Sequence, residues 1–220
     1  MTVIYVHGFA SSPLSSKATF FAERFRACGV RFLCPDFNQP DFSTLTVSRM
    51  LQQLEHYIAA LPEDEIVLIG SSLGGFVAVE AAARQANRGP HPISHVILLA
   101  PAVELEWERW SEVGPGGIDR WRRHGDIEVF HYAEDAPRRL KFDFYVDSEQ
   151  YRPAARRLML PMLIFQGRCD DSVSPAIVER FASVQRNAAL YLVEDGHQLK
   201  ESLELIWEET AKFLGLMKPT

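Results

Sequence analysis

Cysteine is scarce in this chain. Its 220 residues contain three cysteines, Cys28, Cys34 and Cys169. An odd and sparse set cannot form a disulfide framework, and it is typical of proteins that stay in a reducing compartment. The first residues also lead directly into an apolar strand, without the charged segment that opens a signal peptide. We therefore expect a cytoplasmic protein.

The chain also lacks long apolar runs and an excess of positive charge. No apolar segment approaches the ~20 residues that a membrane-spanning helix needs, so we expect no membrane span. The formal net charge is −6, whereas phosphate backbones attract basic surfaces. We therefore expect no nucleic-acid partner and look instead for a small-molecule site.

Short apolar strands alternate with helical segments along the chain. We predict strands at 3–6, 30–33, 66–69, 96–99, 162–165 and 189–193. We predict helices at 17–28, 47–61, 73–87, 175–184 and 199–216. This alternation is typical of a mostly parallel sheet that helices cover on both faces. We expect a single α/β domain over residues 1–220.

Residues 102–157 interrupt the alternation with a segment that is dense in charged and aromatic side chains. Two stretches, 127–132 and 140–146, are predicted to be extended and to form a hairpin with Ala136 and Pro137 between them. A helix is predicted over 148–158. An insertion of this length after a core strand commonly forms a lid, so we expect a small lid after the strand at 96–99.

The strand at 66–69 runs directly into a Gly-x-Ser-x-Gly pattern, with Gly70, Ser72 and Gly74 at the fixed positions. A serine on a tight turn between a strand and a helix is the nucleophile elbow of serine hydrolases. A nucleotide-binding turn is the alternative, but it requires a glycine where Ser72 stands or a Gly-Lys-Ser/Thr sequence. The pattern therefore predicts that Ser72 is a nucleophile.

A serine nucleophile needs a base that takes its proton. Of the seven histidines, His7 and His197 directly follow predicted core strands. His197 lies after the last strand, where such folds place the base, so we predict that role for it. We expect His7 to brace its own loop through hydrogen bonds of its side chain.

The base in turn needs a carboxylate that orients it. Asp170 and Asp171 follow the strand at 162–165. We favour Asp170, and we expect one of the two to cap a turn. Glu194 and Asp195 stay a minor alternative, because carboxylates so near His197 in sequence generally cannot reach its Nδ1.

Two backbone N–H groups are needed to stabilise an oxyanion, each contributing about 3 kcal/mol. We predict that Leu73 supplies one and that Phe9, in the loop after the first strand, supplies the other. Gly8 allows the close approach of that loop.

The insertion and the first loop together define the predicted substrate pocket. We assign substrate contacts to Gly8, Trp107, Trp110 and Phe144. A lid of modest size predicts short-to-medium acyl chains.

Four motifs carry a family resemblance: His7-Gly8-Phe9, Gly70-Ser71-Ser72-Leu73-Gly74-Gly75, Gly167-Arg168-Cys169-Asp170-Asp171-Ser172-Val173 and Gly196-His197. With them the chain resembles α/β-hydrolase-fold serine esterases. Its first loop and elbow are similar to small bacterial esterases of the YqiA type. The Asp-Asp-x-Val segment and the aromatic insertion resemble acyl-protein thioesterase-like hydrolases. Gln166 is a departure, because relatives often have histidine there.

The resemblance implies an α/β-hydrolase fold and cleavage of an acyl ester through an acyl-enzyme, with no metal or organic cofactor. The roles it implies for Ser72, Asp170 and His197 agree with those derived above. Thioester hydrolysis, peptide hydrolysis and a binding protein without activity remain alternatives. A dehalogenase is disfavoured, since it needs an aspartate in place of Ser72. The sequence leaves open whether the protein is a monomer or a homodimer.

Overall fold

A computed structural model of the chain describes residues 1–61, 65–85, 93–110, 113–114 and 116–216. The strands are β1 Thr2–Val6, β2 Arg31–Leu33, β3 Ile66–Ser71, β4 Ile93–Leu99, β5 Asp126–His131, β6 Ala136–Lys141, β7 Met162–Gly167 and β8 Ala188–Val193. The α-helices are α1 Ser16–Ala27, α2 Val47–Ala59, α3 Leu73–Gln85, α4 Gly117–His124, α5 Asp143–Ser148, α6 Pro175–Ser183 and α7 Leu203–Phe213. Short 3-10 turns lie at Phe42–Thr44, Trp107–Arg109 and Pro153–Ala155.

Six strands form one sheet in the order β2-β1-β3-β4-β7-β8, and every neighbouring pair is parallel. Strands β1, β3 and β7 are buried along their whole length. Strands of a parallel sheet are buried on both faces and therefore read as continuous apolar runs. The predicted fold class, a mostly parallel sheet covered on both faces, is confirmed.

The alternation of side chains along β1 divides the core into two layers. Val3 and Tyr5 pack on the face that also buries Phe21 and Phe25 of α1 and Ile206 and Trp207 of α7. Ile4 and Val6 point to the opposite face, against apolar residues of α2, α3 and α6. Successive side chains of a strand point to opposite faces, so the short apolar strands need helices on both sides.

The strand register brings four loops to one edge of the sheet. Val6 of β1 is level with Gly70 of β3, Leu99 of β4 with Phe165 of β7, and Gly167 with Val193 of β8. The segments that follow β1, β3, β7 and β8 therefore start at the same edge. Open parallel sheets bind their ligands outside the carboxyl ends of the strands.

Helix α1 begins beside this edge and has defined ends. The Ser15 hydroxyl accepts a bond from the Ala18 N–H at 3.4 Å, which makes Ser15 the N-cap. Gly29 follows the helix with a φ of +69°, a left-handed conformation that favours glycine. Both ends agree with the sequence prediction, and Lys17 lies in the first turn.

The insertion between β4 and β7 differs from the prediction in three ways. Strands β5 and β6 do form an antiparallel hairpin, but Ala136 and Pro137 belong to β6 and not to the turn. The extended stretch predicted over 140–146 ends at Lys141, and helix α5 follows. The helix predicted over 148–158 is wrong. The structure describes all of these residues, and after Ser148 they form the 3-10 turn Pro153–Ala155 between irregular segments.

The cause of the wrong assignment at 140–146 is aromatic packing. The rings of Phe142 and Tyr145 stack at 5.2 Å, and side chains three residues apart meet in a helix and not in a strand. Both also contact Trp121 of α4, a helix that the sequence analysis missed.

Two predicted helix boundaries also shift, and a third is not tested. Helix α2 ends at Ala59, before the predicted end at 61. Helix α7 begins at Leu203, four residues after the predicted start at 199, because the segment before it is a turn in which Leu199 has a φ of +52°. The end predicted for the third helix at residue 87 lies outside the described residues. Within the part of the chain that the structure describes, every helix is too short or too polar to cross a membrane.

Candidate active site

Ser72 lies at the tip of a sharp turn between β3 and α3. Its φ is +52°, a conformation that is uncommon for any residue other than glycine and that often marks a functional site. Neighbouring backbone groups hold it there. The Ser72 N–H donates to the Leu99 carbonyl at 3.0 Å, and the Ser72 carbonyl accepts from the N–H groups of Gly75 and Ala102.

The two fixed glycines of the motif allow this turn to pack against β1. A Cβ on Gly74 would lie 1.9 Å from the carbonyl oxygen of Val6, and one on Gly70 would lie 2.5 Å from that of Gly74. Both contacts are with backbone and cannot relax cheaply. A side chain at either position would therefore collide with backbone, which explains the two glycines of the motif.

His197 meets Ser72 from the loop after β8. The distance between His197 Nε2 and Ser72 Oγ is 3.0 Å, within the range of a hydrogen bond. The two residues are 125 positions apart in sequence, and the sheet edge brings them together. The structure thus places the predicted base against the predicted nucleophile.

Asp170 completes the line of side chains from the loop after β7. His197 Nδ1 lies 2.9 Å from Asp170 Oδ2 and 3.1 Å from Oδ1. The N–H groups of Ser172 and Val173 donate to Oδ1 at 2.9 and 2.8 Å, and Gln166 Nε2 donates to Oδ2 at 2.9 Å. Asp170 is 5% exposed.

These contacts decide the charge of Asp170. Burial on its own raises the pKa of the Asp170 carboxyl, but the hydrogen bond and charge of His197 oppose it, together with the bonds from Val173 and Gln166. The net effect is a pKa below the ordinary aspartate value. The carboxylate is therefore ionised and able to orient His197.

The other acidic candidates have different partners. Asp171 accepts a bond from the Ser172 hydroxyl and is exposed. Asp195 accepts from the N–H groups of Gly196 and Ser202, as a turn cap does. Glu194 pairs with Arg168 at 2.9 Å. Asp170 is the aspartate that the structure brings to His197.

Gln166 is a contributor whose role the sequence analysis missed. It lies buried in β7, otherwise an apolar strand, and its amide donates to Oδ2 of Asp170, the oxygen nearer to His197. A polar side chain in the middle of a buried parallel strand is the signal that could have identified it, because such a group requires a hydrogen-bond partner.

His7 braces the first loop, as predicted. Its Nδ1 lies 2.9 Å from the Gly8 carbonyl, and its Nε2 accepts the Phe37 N–H at 3.0 Å. These partners assign the neutral tautomer with the proton on Nδ1. The loop that carries Phe9 is thus tied to the chain after β2.

Phe9 and Leu73, the predicted donors to an oxyanion, both line the cleft beside Ser72. Within the described part of the chain, neither N–H has an acceptor. Leu73 is also the first residue of α3, so its N–H lies at the positive end of the helix dipole. A Cβ on Gly8 would lie 3.3 Å from both the Ser71 carbonyl and Ser72 Cβ, a close approach that explains the glycine.

A cleft of about 920 Å³ opens above Ser72. Gly8, Phe9 and Trp110 line it, together with residues of the hairpin and of the loops after β7 and β8. Trp107 and Phe144 were also assigned to substrate contact from the sequence. They are buried and lie behind the wall of the cleft that Phe9 and Trp110 form.

Trp107 and Phe144 form the aromatic layer that supports the wall. Their rings are 5.9 Å apart. Trp107 packs on Trp110 at 4.9 Å, and Phe144 packs on Phe9 at 5.7 Å. Aromatic composition predicts this cluster but not which of its rings face the cleft.

No group of three or more potential metal-binding side chains occurs among the residues that the structure describes. The side chains at Ser72 are instead those of an acid, a base and a hydroxyl in one hydrogen-bonded line. Such a line can transfer a proton from Ser72 and return it.

A sequence model of the uncharacterised protein family UPF0227 matches residues 2–200. The chain is also 27% identical over 166 residues to the AMB antimetabolite synthetase AmbE of Pseudomonas aeruginosa. That match covers 70% of the chain and 8% of AmbE, so the chain spans a small fraction of this relative's length.

Solved structures resemble the whole chain. Est1E from Butyrivibrio proteoclasticus, with ferulic acid bound, has a TM-score of 0.79 at 21% identity, covering 97% of this chain and 87% of that one. Alpha/beta hydrolase domain-containing protein 10 from mouse has a TM-score of 0.78 at 18% identity, covering 97% and 89%. These likenesses show an α/β-hydrolase fold, as predicted.

Proposed function

We propose that this chain, which belongs to the protein family UPF0227, is a serine hydrolase that cleaves carboxylic esters through an acyl-enzyme. The observation that carries the proposal is the unbroken line of hydrogen bonds from Asp170 through His197 to Ser72. The line ends beside two N–H groups that lack acceptors within the described chain.

The first step is acylation of Ser72. As Oγ attacks the acyl carbon, His197 Nε2 takes its proton, and the charge that develops on the imidazole is stabilised by Asp170. The carbonyl oxygen of the substrate becomes an oxyanion, which the N–H groups of Phe9 and Leu73 bind. His197 then returns the proton to the leaving alcohol.

Deacylation repeats the sequence with water. His197 takes a proton from water, the hydroxide attacks the acyl carbon, and Ser72 leaves as the proton returns to its Oγ. The carboxylic acid is released. Atoms and protons balance without a metal or an organic cofactor.

The acyl pocket lies in the cleft under the insertion. We propose that residues 1–220 form one domain in which 102–157 act as a lid, and that Gly8 and Trp110 contact the acyl group, with Trp107 and Phe144 supporting them. Esters of short-to-medium acids suit a cleft of this size. Thioesters would follow the same chemistry and are the second substrate class to assay.

Labelling with a fluorophosphonate tests the nucleophile. We expect the folded protein to react once, at Ser72, and S72A to be unlabelled, with kcat for p-nitrophenyl butanoate at least ~10⁴-fold lower. The matched control is S183A, because Ser183 lies at the end of α6, outside the cleft lining, and its hydroxyl donates to the Arg180 carbonyl at 2.8 Å. Labelling that persists in S72A, or a folded wild type that fails to react, would contradict the proposal.

A further inference from the structure

Lys17 is a buried cation in the cleft that holds Ser72. It lies in the first turn of α1, lines the cleft, and is 8% exposed. Within the described chain, its ammonium has no hydrogen-bond acceptor and no carboxylate at ion-pair distance. A largely buried lysine whose ammonium has no partner in the protein is costly, and one that lines a cleft points to a ligand.

In the part of the chain that the structure describes, the carboxylates near Lys17 do not form an ion pair with its ammonium. Burial lowers the pKa of Lys17 to about 8, although Asp170 and Asp195 act to raise it and Lys200 acts to lower it further. Asp170 is held by His197 and by N–H groups, and Asp195 by the N–H groups of Gly196 and Ser202. Neither carboxylate is a dedicated counter-ion of Lys17.

The surroundings of Lys17 favour an anion. The N–H groups of Ser16 and Lys17 open the 12-residue helix α1, and neither has an acceptor in the described part of the chain. The start of a helix attracts negative charge. The hydroxyls of Ser11 and Ser16 and the ammonium of Lys200 belong to residues that line the same cleft.

The acidic residues of the cleft are already engaged. Glu104 pairs with Arg180 at 3.1 Å, and Glu106 accepts a bond from the Ser174 N–H at 3.2 Å. They come from the segment after β4, whereas Lys17 belongs to the segment after β1. Within the described chain, no ion pair joins Glu104, Glu106 or the third acid of the cleft, Asp171, to Lys17 or Lys200.

We infer that Lys17 and the start of α1 form a subsite for an anionic group, so that the preferred substrates are esters bearing a carboxylate or phosphate. This inference rests on the proposed function, since it adds a charged group to the ester that Ser72 attacks. Lys17 acts as a specificity residue. It selects among esters by the charge they carry.

Matched pairs of esters test the subsite. On the acyl side, p-nitrophenyl monoadipate is compared with p-nitrophenyl hexanoate, and on the alcohol side, 4-phosphooxyphenyl butanoate with phenyl butanoate. We expect the wild type to have a higher kcat/KM for at least one anionic ester than for its neutral partner. The pair that shows the preference identifies which side of the ester carries the anion.

Substitution of Lys17 separates recognition from chemistry. In K17M, the ratio of kcat/KM for the anionic ester to kcat/KM for its neutral partner should fall about 10- to 100-fold, the range expected for the loss of a charged hydrogen bond. The kcat/KM for the neutral esters should stay within about threefold of the wild-type value. K17R should retain the preference. K212M is the matched control, because Lys212 is exposed and pairs with Glu209 on α7.

The pH dependence supplies a second readout. Lys17 is cationic below its pKa of about 8, so the preference for the anionic ester should decline as the pH rises through that value. Asp170, whose pKa lies below the ordinary aspartate value, stays ionised across this range. The decline should be absent in K17M and should move to higher pH in K17R.

Binding of inorganic phosphate tests the subsite without activity. We expect phosphate to raise the melting temperature of S72A but not that of the S72A/K17M double variant. An equal fall in kcat/KM for the anionic and the neutral ester in K17M, or equal kcat/KM values for the two in the wild type, would overturn the inference. If neither ester is cleaved, the proposed function fails, and the phosphate measurement alone then decides the role of Lys17.

Discussion

At the scale of single residues, Lys17 belongs to the proposed anion subsite and also lowers the stability of the folded protein. Its pKa of about 8 lies below the ordinary lysine value of 10.5. Because the folded state disfavours the charged form, folding is penalised wherever lysine is protonated in both states. That condition holds below about pH 8, and the penalty disappears as the pH rises from there towards 10.5.

We therefore expect K17M to be more stable than the wild type near pH 7, by about 3 kcal/mol for a shift of this size. The gain should shrink above pH 8 as the folded wild type loses its proton. Urea unfolding between about pH 6 and 10 measures it. K212M, the exposed control, should show no such pH-dependent gain, and a constant gain in K17M would contradict the argument.

The residues that the sequence identified share a property that Lys17 lacks. Ser72, Asp170 and His197 each follow a short apolar strand, and the carboxyl ends of parallel strands meet at one edge. Lys17 lies in the polar opening turn of a helix, where lysines are ordinarily solvated. The fold brings it near Asp170 and Asp195, in the loops after β7 and β8, a proximity that one-dimensional patterns do not contain.

At the scale of elements, α3 carries the elbow at one end and anchors the insertion near the other. Glu80 of α3 is 0% exposed. Arg156 donates to its carboxylate from Nε and Nη2 at 3.0 and 2.8 Å, and the Arg152 N–H donates at 3.2 Å. The segment that returns the chain to β7 is thus tied to the helix behind Ser72.

Glu80 and Arg156 differ in exposure, so removing one should lower the free energy of unfolding by a different amount from removing the other. Arg156 is half-exposed and can be solvated, whereas Glu80 cannot. We expect R156L to lower the free energy of unfolding by about 3 kcal/mol, because it leaves a buried carboxylate unpaired. E80L should cost less, and the E80L/R156L double variant should recover most of the loss. A double-mutant cycle in urea measures these values, and equal costs for the single variants would contradict the argument.

The core elements and the hairpin of the insertion were predictable and helices α4 and α5 were not, for one physical reason. Strands β1, β3, β4 and β7 are specified by continuous apolar residues of high strand propensity. Helix α5 contains Phe144 and Tyr145, which have the same propensity, and it is helical because its rings pack on Trp107 and Trp121. Tertiary packing overrides local preference where an element is short.

At the scale of the whole molecule, the cleft ends in an apolar rim. Phe130 and Tyr132 of the hairpin are 40% and 69% exposed, their rings are 5.3 Å apart, and both line the cleft together with Leu14. Under the proposed function, this rim offers apolar surface to an acyl chain that extends along the cleft.

We expect kcat/KM for p-nitrophenyl esters to rise with acyl length, because each buried methylene contributes about 0.8 kcal/mol, and to peak at about four to eight carbons. The F130A/Y132A double variant should lose several-fold on the octanoate and little on the acetate. Y57A is the control, since Tyr57 is an exposed tyrosine on α2 outside the cleft lining. A peak beyond about twelve carbons, or an unchanged profile in the double variant, would contradict this account.

The loop after β1 contacts both the turn that carries Ser72 and the insertion at 102–157. Its backbone approaches Ser72, while the Phe9 ring packs on Trp110 at 4.9 Å and on Phe42 at 5.4 Å. The Ala10 carbonyl accepts the N–H of Ala133 at the hairpin turn. For protein engineering, the exchangeable module is therefore not residues 102–157 alone. A chimera that imports the insertion of another protein of this fold must import the matching residues at positions 9, 10 and 42 with it.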